Sequence, residues 1–208
     1  MEGQWIQAFL NTKGNEYFCE IDAEFIVDRF NLTSLNAEVE NIQAAIDVIL
    51  GPSDQPQTSE RERRLQNDAR HLYGLIHARF ILTTRGLQKM MAKYHEEAFG
   101  RCPRALCRGQ ALLPIGLSDV PHDACVKLYC PKCEDVYNPK SSRHGVMDGA
   151  YWGTTFPGMF FLVYTKLLPR RTSEQYVLKI FGFKIHSHAE IARQQQKLRQ
   201  DSELRVKA

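Results

Sequence analysis

The sequence predicts an α+β protein: an all-helical first half, a cysteine-bearing β region, and a tail with a short hairpin. Three observations carry that prediction. Apolar residues recur at helical spacing from Trp5 to Tyr94. Near Phe99-Gly100 that periodicity gives way to glycines, prolines and cysteines. From Tyr176 to Ile185 residues of strand-forming type return. The expected division is residues 1–98, 99–165 and 166–208.

Trp5, Ile6, Phe9 and Leu10 share one face of a first helix. Asp22 is placed to cap a second, with Phe25, Ile26 and Phe30 inside. Ile42, Ala45, Ile46, Ile49 and Leu50 define a third, stopped by Gly51-Pro52. Ser53 to Ser59 reads as a polar loop. The longest helix carries the stripe Leu65, Ala69, Leu72, Tyr73, Ile76 and Phe80. Thr83 or Thr84 breaks it and caps the next, which buries Leu87, Met90, Met91 and Tyr94. His77, beside the stripe, reads as a hydrogen-bonded packing residue.

In the second half, Val126 to Tyr129 alternates as a strand and Asp148 to Gly153 is turn-rich and aromatic. Phe160 to Tyr164 has the length and composition of a buried strand. Pro169-Arg170-Arg171 starts a polar linker. Ala189 to Arg205 is mixed in charge and only weakly amphipathic, which suits a frayed helix or a disordered tail.

The chain has 208 residues, 43% of them apolar and 25% charged, which is ordinary for a globular protein. A formal charge of +3 does not demand a nucleic-acid partner. Met1 to Trp5 has no basic stretch leading into an apolar run, so no secretory leader is expected. No apolar run approaches the roughly 20 residues of a membrane span. An intracellular, reducing compartment is expected, where six cysteines do not form disulfides.

The cysteines fall as Cys102-x4-Cys107 and Cys130-x2-Cys133. Two such pairs can present four sulfurs to one ion, and four thiolates complete the tetrahedron that zinc prefers. A completed shell leaves no position for water, so the expected zinc is structural, one per chain, and no residue is assigned a catalytic role. A redox reading of Cys130-Pro131-Lys132-Cys133 leaves Cys102 and Cys107 unexplained. Cys125 and Cys19 are expected to be buried, inert thiols. His122 and His144 lie near the pairs in sequence, outside an already full shell. No phosphate-binding glycine loop, nucleophile elbow or HExxH stands in the chain.

Several longer stretches resemble one family. Cys102-Pro103-Arg104, Leu113 to Asp119, Val126 to Cys133, Pro139 to His144, Leu72 to Arg79 and Phe181 to His186 are similar to the regulatory β subunit of protein kinase casein kinase II. The likeness runs from about Trp5 to His186. It implies a zinc-ribbon homodimer whose tails each clasp a catalytic α subunit, an α2β2 assembly acting on substrate proteins in cytoplasm and nucleus. It implies partner contacts at Phe181, Phe183, Met159, Lys179 and His186. A small ribbon cannot hide all its apolar residues, so Leu112, Leu113, Ile115 and Leu117 are expected to face a second copy. Phe181 and Phe183, two apart, are expected to share one strand face as anchors.

The chain also departs from that family. No serine precedes Trp5, so the family's N-terminal autophosphorylation is expected to be absent. Ser53 to Arg64 mixes Arg61, Arg63 and Arg64 with Asp54, Glu60 and Glu62, so it cannot concentrate negative charge where the family carries an acidic loop. Phe181 stands where the family has a tyrosine. A competing reading, a nucleic-acid-binding ribbon, draws on Arg101, Arg104, Arg108, Lys127, Lys132, Lys140 and Arg143, diluted by four nearby acidic residues. Such a binder would lose affinity steeply with salt.

Overall fold

A computed structural model describes residues 3–51, 59–171, 177, 179–184, 186 and 193–200. The chain divides into two units, 1–172 and 173–208, taken here one at a time.

In the first unit, helices α1 (Gln4–Leu10), α2 (Ala23–Val27), α3 (Ile42–Leu50), α4 (Glu60–Phe80) and α5 (Thr84–His95) precede a three-stranded antiparallel sheet. That sheet runs β1 (Leu113–Ile115), β2 (Lys127–Cys130) and β3 (Asp135–Tyr137) in sequence order. Helix α6 (Phe156–Val163) follows. No helix among the described residues is long and apolar enough to cross a membrane.

Local chemistry explains the helix ends. Asn41 caps α3 by accepting the Ala44 N–H at 3.1 Å. Ser59 and Glu62 form a reciprocal capping box on α4, at 3.2 and 2.9 Å. Thr83 accepts the Gly86 N–H at 3.1 Å and starts α5. Asp22 stands at the start of α2 without capping it. Its carboxylate takes Lys89 at 2.8 Å and Arg85 at 3.2 Å instead; α2 is only five residues long, and Phe30 lies beyond it, exposed. Most of the loop expected from Ser53 to Ser59 lies outside the described residues.

The expected strand at Phe160–Tyr164 is a correction: this stretch is the helix α6. Pro157 sits in its first turn, where the missing N–H costs nothing. Phe156 and Phe160, one turn apart, face the core, while Met159, Leu162 and Val163 face out. A run apolar on every side hides its period.

Helix α4 is the spine of this unit. Gln66 accepts the Trp5 indole N–H at 2.9 Å. The buried Tyr73 hydroxyl donates to Cys19 O at 3.0 Å and accepts the Ile21 N–H at 3.2 Å. One face of α4 clamps Tyr151 at three levels. His71 Nδ1 meets its hydroxyl at 3.0 Å, and His77 Nδ1 meets its carbonyl at 2.9 Å. Between them a Cβ on Gly74 would sit 2.5 Å from the Tyr151 ring, so only glycine lets the ring lie flat. The helical half and the β half therefore share one core.

In the second unit, β4 (Lys179–Ile180) and β5 (Phe183–Lys184) form an antiparallel hairpin. Residues 193–200 are helical and exposed. Tyr176 and Ile185 lie outside the described residues.

Candidate metal centre

Two tight turns bring the cysteines together. The first closes through a 3-10 turn, Ala105–Cys107, followed by Arg108 at φ 54°. The second closes by a Glu134 N–H to Cys130 O bond of 2.8 Å, with Glu134 itself at φ 54°. Each pair thus ends in a left-handed residue directly after its second cysteine. Cys130 is the last residue of β2 and Asp135 opens β3, so the second pair is a strand-to-strand turn.

The four sulfurs lie within 4.8 Å of one another. Cys102 and Cys133 are 3.9 Å apart, as are Cys107 and Cys130. A tetrahedron with Zn–S bonds of about 2.3 Å has edges of about 3.8 Å. The donor set therefore fits a zinc-sized, thiophilic ion. Cys102, Cys107 and Cys130 are buried and Cys133 is half-buried.

Charge argues the same way. Burial, then the neighbouring cysteines, pushes the Cys107 thiol up to about 11. Burial pushes Cys130 up as well, against backbone N–H bonds from Cys133 and Lys132. Burial also raises Cys133, but hydrogen bonds from Tyr137, Cys130 and Cys107 outweigh it and leave that thiol lowered. Four close sulfurs ionise together only around a cation. Tyr137, whose hydroxyl lies 3.2 Å from Cys133 Sγ, orients that ligand from behind, as metal ligands require. Sequence spacing identified the four cysteines and gave no sign of Tyr137.

Other expected site residues lie as follows. Leu112 and Leu113 are buried within this chain, which corrects their expected exposure to a second copy: both pack into the chain's own core, Leu113 from the start of β1. Ile115 is half-buried and Leu117 exposed. Cys125 is exposed, not buried, and pairs with Asp148 as an isolated bridge at the sheet's margin. Cys19 is buried, and burial lifts its thiol to about 12. His144 bonds Glu16 at 2.7 Å and stacks on Tyr17, apart from the metal shell.

In the hairpin, Lys179 pairs with Lys184 and Ile180 with Phe183. Phe181 is not on a strand. It occupies the turn with Gly182, at φ 50° and 86°, the two positive values of a type I′ turn. The expected common face for Phe181 and Phe183 is thus corrected: one ring caps the turn, the other leaves β5. Both are outward, 96% and 79% exposed. Lys179 and His186 are exposed, and Met159 lies on the outer side of α6.

The family profile described as casein kinase II regulatory subunit matches residues 4–184. The casein kinase II subunit beta-2 of Neurospora crassa is 51% identical over 203 residues, covering 98% of this chain and 71% of that protein. The casein kinase II subunit beta of Schizosaccharomyces pombe is 55% identical over 185 residues, covering 89% and 80%. The casein kinase II subunit beta' of Drosophila melanogaster is 49% identical over 189 residues, covering 90% and 86%.

Proposed function

The chain belongs to the casein kinase II regulatory-subunit family, and from that premise we propose how its two special regions divide the work. It is a non-catalytic regulatory subunit of that kinase; the nucleic-acid reading is not favoured. The ribbon holds one structural zinc through Cys102, Cys107, Cys130 and Cys133 and pairs two copies, with Ile115 and Leu117 on the paired face. The tail hairpin docks a catalytic α subunit, giving an α2β2 assembly that meets substrate proteins in cytoplasm and nucleus. Lys179, His186 and Met159 contribute around the two rings.

The observation that carries the docking reading is Phe181. Holding a non-glycine residue in the left-handed region costs about 1 kcal/mol, and exposing a whole ring gains nothing for this chain alone. Both costs make sense where a partner's pocket receives the ring. Isothermal calorimetry of the full chain against the catalytic subunit tests it, with Phe181→Ala as the variant. A dissociation constant unchanged by that substitution sinks the docking assignment. Sedimentation of the metal-loaded chain tests the pairing, and a monomer at micromolar concentration removes it.

A further inference from the structure

We propose that His71 and His122 form an acid-sensitive latch that holds the 120–123 segment against helix α4 and releases it below neutral pH. The two imidazoles lie nearly parallel, 16° between planes, with ring centroids 5.1 Å apart. They are 51 residues apart in sequence, so the pairing exists only in the folded chain. His71 projects from α4, half-buried, its Nδ1 committed to the Tyr151 hydroxyl. His122 is 77% exposed and stands at φ 66°, a conformation that suits glycine. Its backbone N–H donates to Asp148 Oδ2 at 2.6 Å, and its Nδ1 lies 3.5 Å from the same oxygen. The Asp148 side chain is only 8% exposed.

Hydrogen bonds anchor the segment on either side. Asp119 accepts the Thr154 N–H at 2.7 Å and its hydroxyl at 3.0 Å. Ala124 O accepts the Gly149 N–H at 2.8 Å. Between those anchors, His122 ties the segment to α4. Pro121 also walls a cleft of about 400 Å³ that Leu35, Leu75 and Trp152 line. Release of the segment opens that cleft.

The charges around the pair act on His71. His122 faces Asp148. His71 faces His122 and Tyr151, with Asp148, Glu38 and Asp68 acting on it from farther off. Burial, then the charge of His122, holds the His71 imidazole below its ordinary range. A proton on His71 meets the charge of His122 across the stack. Opening restores an ordinary affinity for that proton, so the open population rises up to tenfold per pH unit below the ordinary histidine value.

Histidine ring and backbone amide resonances of the full, zinc-loaded chain, titrated from pH 8 to 5, test this. His71 is expected to titrate below the ordinary histidine range, and the 120–123 amides to follow the His71 midpoint. His122→Gly suits the backbone and keeps the fold; it should raise the His71 midpoint. His71→Leu should abolish the acid-induced loss of hydrogen-exchange protection at the 120–123 amides. A His71 midpoint unmoved by His122→Gly overturns the latch. So does a loss of protection in acid that persists in His71→Leu, or none in the parent chain.

Discussion

The cysteine centre and the tail hairpin both turn the chain through left-handed residues, and they point the result in opposite directions. At Arg108 and Glu134 the polar side chains stay outside while four sulfurs converge within. At Phe181 the bulky ring itself goes outward, and the turn gathers nothing inside. The first arrangement converges four donors that fit an ion; the second presents a ring to solvent. The strain is alike in kind, so its meaning depends on what the turn delivers.

The largest expected break is on the inward side. Cys130→Ser leaves three thiolates, and metal binding on the order of 10 kcal/mol is what structural sites of this type contribute. Zinc content should fall from one per chain toward zero, and the paired species should disappear on sedimentation. A Cys130→Ser protein that stays dimeric with full zinc refutes the division of labour.

Next is the clamp on Tyr151. His77 is wholly buried, accepting the Cys19 N–H at Nε2 and donating from Nδ1 to Tyr151 O. Burial lowers its pKa to about 4 from an ordinary 6.5. The folded state thus binds the proton less well than the unfolded state. Stability is fully present above about pH 6.5 and is lost as pH falls through about 4, to a limit of about 3 kcal/mol. Urea melts at pH 7 and 4.5, compared with His77→Gln, isolate this contribution. Equal pH slopes in parent and variant would remove it.

On the outward side, Phe181→Ala should cost about 2 kcal/mol of docking, roughly thirtyfold in affinity, and almost nothing in the thermal stability of residues 1–172. Phe181→Asn sharpens the contrast. It gives the turn its preferred Asn-Gly pair and should populate the hairpin better while still losing affinity. If Phe181→Asn binds as well as the parent, turn shape and not ring burial carries the docking.

The smallest effect is an imperfection inside. The Trp152 indole N–H is buried with no hydrogen-bond partner among the described residues. Trp152→Phe deletes that donor and keeps a ring, for a gain of about 1 kcal/mol in thermal unfolding. A loss of similar size would mean that ring volume outweighs the missing bond.

The sequence disclosed what is periodic or locally spaced. The stripes of α1, α3, α4 and α5 and the four cysteines were legible because each signal lies within one element or one turn. Helix α6 was misread as a strand because its apolar residues cover every face. Leu112 and Leu113 were misplaced because a short strand does not announce which side is covered. Phe181 was put on a strand because spacing carries no sign of φ. The His71–His122 stack depends on segments far apart in sequence, the exposure of Cys125 on the edge of a sheet, and Tyr137 behind Cys133 on the shape of the turn between two strands.

The clamp on Tyr151 has a consequence for how this chain is made. His77 and Tyr151 are 74 residues apart. At roughly 5–20 residues per second, ribosomes need several seconds to about a quarter of a minute to cross that interval. Throughout that time α4 lacks the Tyr151 contacts that its His71, Gly74 and His77 face makes in the finished fold. The helical half therefore waits, unfinished, for the ribbon's following turn to arrive. A newly made chain stalled before residue 150 should be the form that chaperones hold.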